Sequence, residues 1–291
     1  MANLKEIRNR ITSVGSTMQI TSAMKMVSAA KLKRAQDAVT QMRPYAGKLK
    51  EILGNLSASL DLSENALAED RGTENVLIIA ITSNRGLCGG FNNNIIKQVN
   101  QLMIFDYKSS NVKILALGKK AKDAFKRSDA YYESADTNQV PDIFADLSFS
   151  NTAILAQAAM DRFMDKSFDR VVVVYNSFIN AASQSVKTEQ LLPIIPTVAE
   201  EGTSTADYIF EPSKEEIVEE LIPKSLKIQL FKALLDSNAS EHGARMTAMH
   251  KATDNAKELK RNLTLSYNKA RQAAITNEIL EIVGGAEALN G

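Results

Sequence analysis

The stretch after Pro223 constrains this chain more than any other part of it. No proline follows, and Gly243 is the one glycine before Gly284 and Gly285 near the end. Met249, Ala252, Ala256, Leu259, Leu263, Ser266, Ala270, Ala273, Asn277 and Leu280 recur at alternating steps of three and four residues, a heptad seam over about four repeats. Roughly sixty uninterrupted residues at ~1.5 Å rise predict a helix of about 90 Å. Ordinary globular helices average about 11–12 residues. A helix this long, with small and polar residues in its seam, needs a partner helix that approaches closely.

Residues 3–57 supply the matching pattern. Leu4, Ile7, Ile11, Val14 and Met18 mark one helical face, which continues through Met24 and Val27 and resumes at Leu49, Ile52, Leu53 and Leu56. Between these the stripe thins to Thr21, Ser28, Ala29 and Ala30, a narrow pairing surface. Pro44 is expected to kink this helix or begin a new one, because the residue before it, Arg43, is pushed out of helical backbone. In the C-terminal segment, Ser213 with Glu216 reads as a capping box, and Pro223 is expected to kink or restart the helix.

Charge divides the same way. Residues 1–57 carry ten Lys/Arg against three Asp/Glu, net +7, and residues 245–271 carry seven against two, net +5. Residues 58–212 are net −6, and the whole chain is net +1. A globally basic nucleic-acid coat is excluded, while two basic helical segments point to an acidic protein surface. Aromatic residues that stack bases are not interleaved in those segments, so no nucleic-acid partner is expected.

The middle reads as α/β. Val76–Thr82, Lys113–Gly118 and Arg170–Asn176 are short β-rich runs, alternating with helix-like stretches at Asn94–Tyr107, Lys119–Lys126 and Thr152–Lys166. That order predicts βαβ units and a mostly parallel sheet. Ser185–Ile195 reads as a final edge strand, since Pro193 cannot donate in a ladder. The fold expected is α/β with long helices: N- and C-terminal helices in an antiparallel coiled coil, and an inserted Rossmann-like α/β domain. Its bounds are 1–60 for the N-terminal helix, 74–196 for the α/β domain and 213–288 for the C-terminal helix.

Chemistry is sparse. A single cysteine and two histidines allow neither a disulfide nor a Cys/His zinc site. The turn Ser83–Asn94, SNRGLCGGFNNN, follows a strand and precedes a helix, yet it has neither G-x-G-x-x-G nor the P-loop ending. A structural turn is the stronger reading, with Cys88 a buried thiol. Asp142 with Asp146, and Asp161 with Asp165, are spaced to share a helix face, most simply a solvated one. No cofactor, metal or catalytic residue is expected. No apolar run reaches the ~20 residues of a membrane-spanning helix.

The residues also carry a resemblance. KEIRNRITSV, TMQITSAMKMVSAAKLKRAQ and RPYAGKL resemble the N-terminal signature of the gamma subunits of F-type ATP synthases. SNRGLCGGFNNNI is similar to their middle motif. ASEHGARMTAMHKATDNAKEL and YNKARQAAITNEILEIVGGAEAL are similar to their C-terminal one. The resemblance runs from the first residues to the last. It implies a non-catalytic, torque-transmitting rotor subunit, one copy per complex, that couples proton flow to ATP synthesis and hydrolysis. The implied partners are the alpha3beta3 hexamer, the epsilon subunit and the c ring of Fo. The implied location is the cytoplasmic face of a bacterial inner membrane, no transit-type leader being seen at the start.

By motif, the resemblance implies that Arg271 and Gln272 hydrogen-bond a loop of beta. It implies that Met24, Lys25 and Arg245 face an acidic lever of beta, and that Thr276 and Glu278 pack on the N-terminal helix. Tyr208 and Glu211 fall near the c ring and epsilon. Gly15 and Ser22 depart from the family's usual bulkier residues, which predicts a looser N-terminal helix there. Two other classes stay open on the residues alone: a nucleotide-binding α/β enzyme with helical arms, and a static coiled-coil scaffold.

Overall fold

The computed structural model describes residues 4–59, 65–133, 139–140, 142–194 and 214–290. Two long helices, α1 (Leu4–Ser59) and α5 (Lys214–Asn290), enclose the α/β segment in the chain order. The chain divides into two compact units, residues 29–245 and residues 1–28 with 246–291. Both long helices contribute to both units.

In the unit of residues 29–245 a five-stranded sheet is built from β1 (Asn75–Ile81), β2 (Asn111–Leu117), β3 (Tyr131–Tyr132), β4 (Arg170–Asn180) and β5 (Ser183–Leu192). Its order is β3-β2-β1-β4-β5. Pairings are parallel except β4 with β5, so the sheet is mixed and β5 is an edge, as the proline after it implies. β1 sits in the middle and is buried on both faces, which is why its sequence is a continuous apolar run. Leu77, Ile79 and Ile81 face a layer formed by α4 (Phe149–Met164) and α5, including Leu155, Met160, Phe163, Leu230 and Leu234. Val76, Ile78 and Ala80 face α2 (Phe91–Gln101) and α3 (Lys119–Phe125), through Ile95, Val99, Ala121 and Phe125. Gly118, between β2 and α3, has φ 104°, and a Cβ there would lie 2.2 Å from the Thr82 carbonyl oxygen. Only glycine fits that crossing.

Several expectations are corrected. α2 begins three residues earlier than Asn94 and gives way after Gln101 to a π-helical turn, Leu102–Asp106, with Ile104 and Phe105 exposed. Asp142 and Asp146 are not on a helix: Asp142 accepts from Asn84 Nδ2 at 2.7 Å, and Asp146 accepts from Asn151 Nδ2 at 3.0 Å. Pro44 and Pro223 begin no new helix, since both lie inside continuous helices. An interior proline costs about 3 kcal/mol. Burial of Ile222, Leu226 and Leu230 around Pro223, at about 1.5–3 kcal/mol for each aliphatic side chain, outweighs that cost. Ser213 lies outside the described residues.

In the other unit α1 and α5 run antiparallel. The Thr253 hydroxyl donates to Thr21 Oγ1 at 2.8 Å, and Arg8 donates to the Tyr267 hydroxyl at 2.9 Å. Leu4, Ile7, Ile11, Val14 and Met18 are half-buried or buried, as the stripe predicts, whereas Val27 is exposed. On α5 the half-buried line passes through Lys260 and Tyr267, while Leu259 is 46% exposed. The reason is Gly15: the Lys260 stem lies over it, with Nζ 3.6 Å from where a Cβ would sit. A long amphipathic side chain covers the hole that the missing side chain leaves. The looser helix expected at Gly15 is filled in this way.

Candidate functional site

The chemistry-bearing side chains of this chain converge on a joint between α5 and the turn after β1, inside the unit of residues 29–245. In α5, no side chain from Ser225 to Arg245 is exposed. A helix surrounded on all sides is normally apolar. This one carries Asp236, Ser237, Ser240, Glu241 and Arg245, all buried. Buried polar groups require partners.

Arg245 has the most. Its guanidinium, on a residue 7% exposed, bonds Glu241 Oε1 at 2.6 Å. It also donates to the Arg85 carbonyl at 3.0 Å and to the Gly86 carbonyl at 3.3 Å. Burial pushes the Glu241 carboxyl up from its ordinary value, opposed by the Arg245 charge. Ser240 donates to the Asn176 carbonyl at 3.0 Å, and Asn176 Nδ2 donates to the Phe91 carbonyl at 3.2 Å. Ala244 packs on Cys88 and Phe91. At Gly243 a Cβ would lie 3.0 Å from the Ala181 carbonyl oxygen, so the helix backbone comes close to the β4–β5 turn. Asp236 is less well served: Arg43 stands 3.9 Å from Oδ1, and Ser177 Oγ is 3.5 Å from Oδ2. Burial pushes its carboxyl up as well.

The turn itself is tightly tied. Ser83 donates to the Arg85 carbonyl at 2.6 Å, its backbone N–H donates to Asn92 Oδ1 at 2.9 Å, and Asn92 Nδ2 lies 3.1 Å from Cys88 Sγ. Leu87 and Gly89 hold φ of 62° and 59°. Burial pushes the Cys88 thiol up, with the Ser83 contact opposing, so it stays protonated as a small packed group. In a doubly wound sheet the crevice outside the ends of β1 and β4, where strand order reverses, is the usual ligand position. Here Ser240 reaches the β4 side of that crevice and Arg245 the turn after β1, so α5 fills it. Among the described residues no group of three or more His, Cys, Asp or Glu is arranged to hold a metal ion. No helix among them is long and apolar enough to cross a membrane.

The residues singled out by motif fall apart. Arg245 is committed to its own chain rather than turned outward, a correction to the role expected for it. Met24 and Lys25 are half-buried on α1. Arg271 and Gln272 are exposed, and the Gln272 carbonyl accepts from Thr276 Oγ1 at 3.0 Å. The pairs Arg8–Tyr267 and Thr21–Thr253 set a register in which Leu4 stands opposite about residue 271. Met24 and Arg271 are therefore separated by about 30 Å along the helices. Thr276 and Glu278 are exposed, and no described residue of α1 stands opposite them. Tyr208 and Glu211 lie outside the described residues. Glu241, Ser240, Gly243 and Asn176 were not singled out from sequence. The Glu241–Arg245 spacing of four was the one signal available, since it places opposite charges on one helix face.

From Arg271 to Ala286 every side chain is exposed, including Ile275, Ile279, Leu280, Ile282 and Val283.

The family model described as ATP synthase matches residues 3–289. An ATP synthase gamma chain of Christiangramia forsetii is 61% identical over 292 residues, covering 100% of both chains. One of Cytophaga hutchinsonii is 53% identical over 298 residues, again covering 100% of both. Among solved structures, the central stalk and c-ring assembly of Tetrahymena thermophila mitochondrial ATP synthase contains a similar chain. Its TM-score is 0.59 at 25% identity, over 80% of this chain and 99% of that one. A chain of the Euglena gracilis mitochondrial enzyme has TM-score 0.65 at 23% identity, over 98% and 94%, which bears on the fold alone.

Proposed function

The chain belongs to the ATP synthase gamma-chain family, and from that premise we propose that it is the rotor shaft of a proton-translocating F-type ATP synthase. As a gamma chain it is a subunit of ATP synthase and not itself the catalyst. One copy turns within the alpha3beta3 hexamer, with epsilon and the c ring as its other partners, at the cytoplasmic face of a bacterial inner membrane. The observation that carries this reading is α5. Its Ser240–Arg245 stretch is fastened into the α/β sheet, and its last turns present apolar side chains, with Arg271 and Gln272, to no described part of this chain.

A helix shared by both units is a covalent path for torque. The antiparallel pairing of α1 with α5 is read as a coiled coil. Its exposed end suits a hydrophobic sleeve in the hexamer, where contact with each beta subunit changes with angle. Arg271 offers a bidentate fork to a carboxylate, and Gln272 an adjacent amide. Met24 and Lys25 are assigned to the beta lever, and Tyr208 and Glu211 to the end near epsilon and the c ring. The crevice filled by α5 supports a shaft over a nucleotide-binding enzyme. Co-expression with alpha and beta subunits, followed by native mass measurement, tests the reading. One copy of this chain bound per alpha3beta3 is the expected result, and a chain that stays free refutes it.

A further inference from the structure

We propose that Glu241 and Arg245 form a latch that positions the α/β sheet angularly on α5, with Arg245 gripping the Arg85 and Gly86 carbonyls of the turn after β1. The inference rests on the rotor reading and deepens it, by naming the residues that stop the sheet from slipping around the helix. Three observations carry it.

The first is the kind of contact. Around the joint most α5 side chains meet the sheet through apolar packing, as Leu226, Leu230 and Leu234 do. Apolar packing is non-directional. It opposes separation of the two surfaces more than it opposes sliding or turning of one over the other. The Arg245 fork is directional, with its nitrogens aimed at Glu241 Oε1 and at two successive carbonyls. A small rotation of α5 breaks both carbonyl contacts together, while the Glu241 bond lies within α5 and keeps the guanidinium aimed as the helix moves.

The second is where the grip acts. Its acceptors lie in a turn tied on its other side to α2 by Ser83, Asn92 and Cys88, so the pull reaches the sheet through short, ordered links. The third is position in the chain. Arg245 is the last α5 residue of its unit, so the grip acts where that unit ends along the helix. A buried ion pair is often no more stabilising than apolar residues of the same volume. Stability alone is therefore a weak reason for a guanidinium here, whereas resistance to rotation is one that apolar packing does not supply.

Arg245→Met keeps volume and packing and removes the grip. Arg245→Lys keeps the charge beside Glu241 but replaces the fork with a single ammonium. Each is assembled with its partner subunits in membrane vesicles, and ATP hydrolysis and ATP-driven proton pumping are measured on the same preparation. For Arg245→Met, hydrolysis is expected within about twofold of wild type, while protons pumped per ATP fall about tenfold, as loss of a charge-assisted grip allows slip. The lysine variant is expected between the two. A wild-type ratio in Arg245→Met overturns the latch. So does a parallel fall of hydrolysis and pumping, which would put Arg245 in the action of the hexamer instead.

If the methionine variant does not assemble, the lysine variant decides by the same ratio. Hydrogen exchange on the free full-length chain decides as well. Arg85–Cys88 are expected to exchange faster in Arg245→Met, and unchanged exchange there overturns the proposal. Failure of the rotor reading is distinguishable, because it appears as a wild-type chain that does not join its partners.

Discussion

Two lengths of the same helix, Ser225–Arg245 and Arg271–Ala286, are opposite in their surroundings and alike in what they leave unfinished. The first has no exposed side chain and yet includes an aspartate, a glutamate, an arginine and three serines. The second has no buried side chain and yet includes Ile275, Ile279, Leu280, Ile282 and Val283. In the first, partners for most polar groups come from the chain itself, by way of Arg85, Gly86 and Asn176. In the second, nothing described in the chain covers the apolar ones. Polar residues inside mark a joint whose geometry is specified. Apolar residues outside suit a surface that another molecule covers, as the rotor reading proposes.

The largest effect should come from breaking the joint. Glu241→Ala leaves the Arg245 charge buried with carbonyls alone, and losing one partner of a buried pair costs about 3–5 kcal/mol. Chemical denaturation of the free chain should show a loss of that size in the transition that reports the sheet. A loss below about 1 kcal/mol, the size of an exposed pair, would mean that Glu241 is solvated and the joint open. Gly243→Val is the next test. Its branched side chain must enter where even a Cβ stands 3.0 Å from the Ala181 carbonyl. Overpacking of this kind costs about 1–3 kcal/mol. A stability unchanged from wild type would show that the β4–β5 turn yields freely.

Titration separates the groups inside the joint. Burial, with the Arg245 and Lys31 charges beside it, pushes the His242 imidazole down to about 4. A base depressed on folding contributes stability that is complete above its ordinary 6.5 and lost as pH falls from there toward 4. Asp236 and Glu241 act with the opposite sign. Their carboxyls are raised, so the folded state holds their protons more tightly, and stability falls as pH rises through those raised values. His242→Gln should therefore flatten the loss of thermal stability between pH 6.5 and 4, leaving the acidic groups' contribution in place. Parallel curves for variant and wild type would place His242 in solvent.

Much of the architecture was legible because it follows from which surfaces must be buried. The run from Val76 to Ile81 announces a central strand, since a continuous apolar run needs cover on both faces, and layers from α2 and α3 and from α4 and α5 provide it. The stripe from Leu4 to Met18 likewise announced the pairing face of α1. The joint was not legible for a chemical reason. The acceptors for Arg245 are backbone carbonyls 159 and 160 residues away, and a carbonyl leaves no mark on residue identity. Register was hidden as well. One absent side chain, at Gly15, draws Lys260 inward and turns Leu259 out.

The smallest effect on stability should come from the exposed length. Ile279 and Leu280 are 55% and 63% exposed, and adjacent, so they point to neighbouring faces of the helix. Replacing both by Gln removes apolar surface that the free chain does not bury, and keeps a residue of good helix propensity. Surface changes of this type stay within about 0.5 kcal/mol, so denaturation of the free double variant should match wild type. Association is a different matter. If the alpha3beta3 sleeve covers these residues, each loses roughly 1.5–3 kcal/mol of burial free energy in the complex, and the double variant should dissociate at least about tenfold faster than wild type. The measurement is the release rate of labelled chain from the assembled hexamer. A matched stability with unchanged release would leave these apolar side chains facing water in the complex too, and would remove the reason for reading the two lengths of α5 as joint and docking surface.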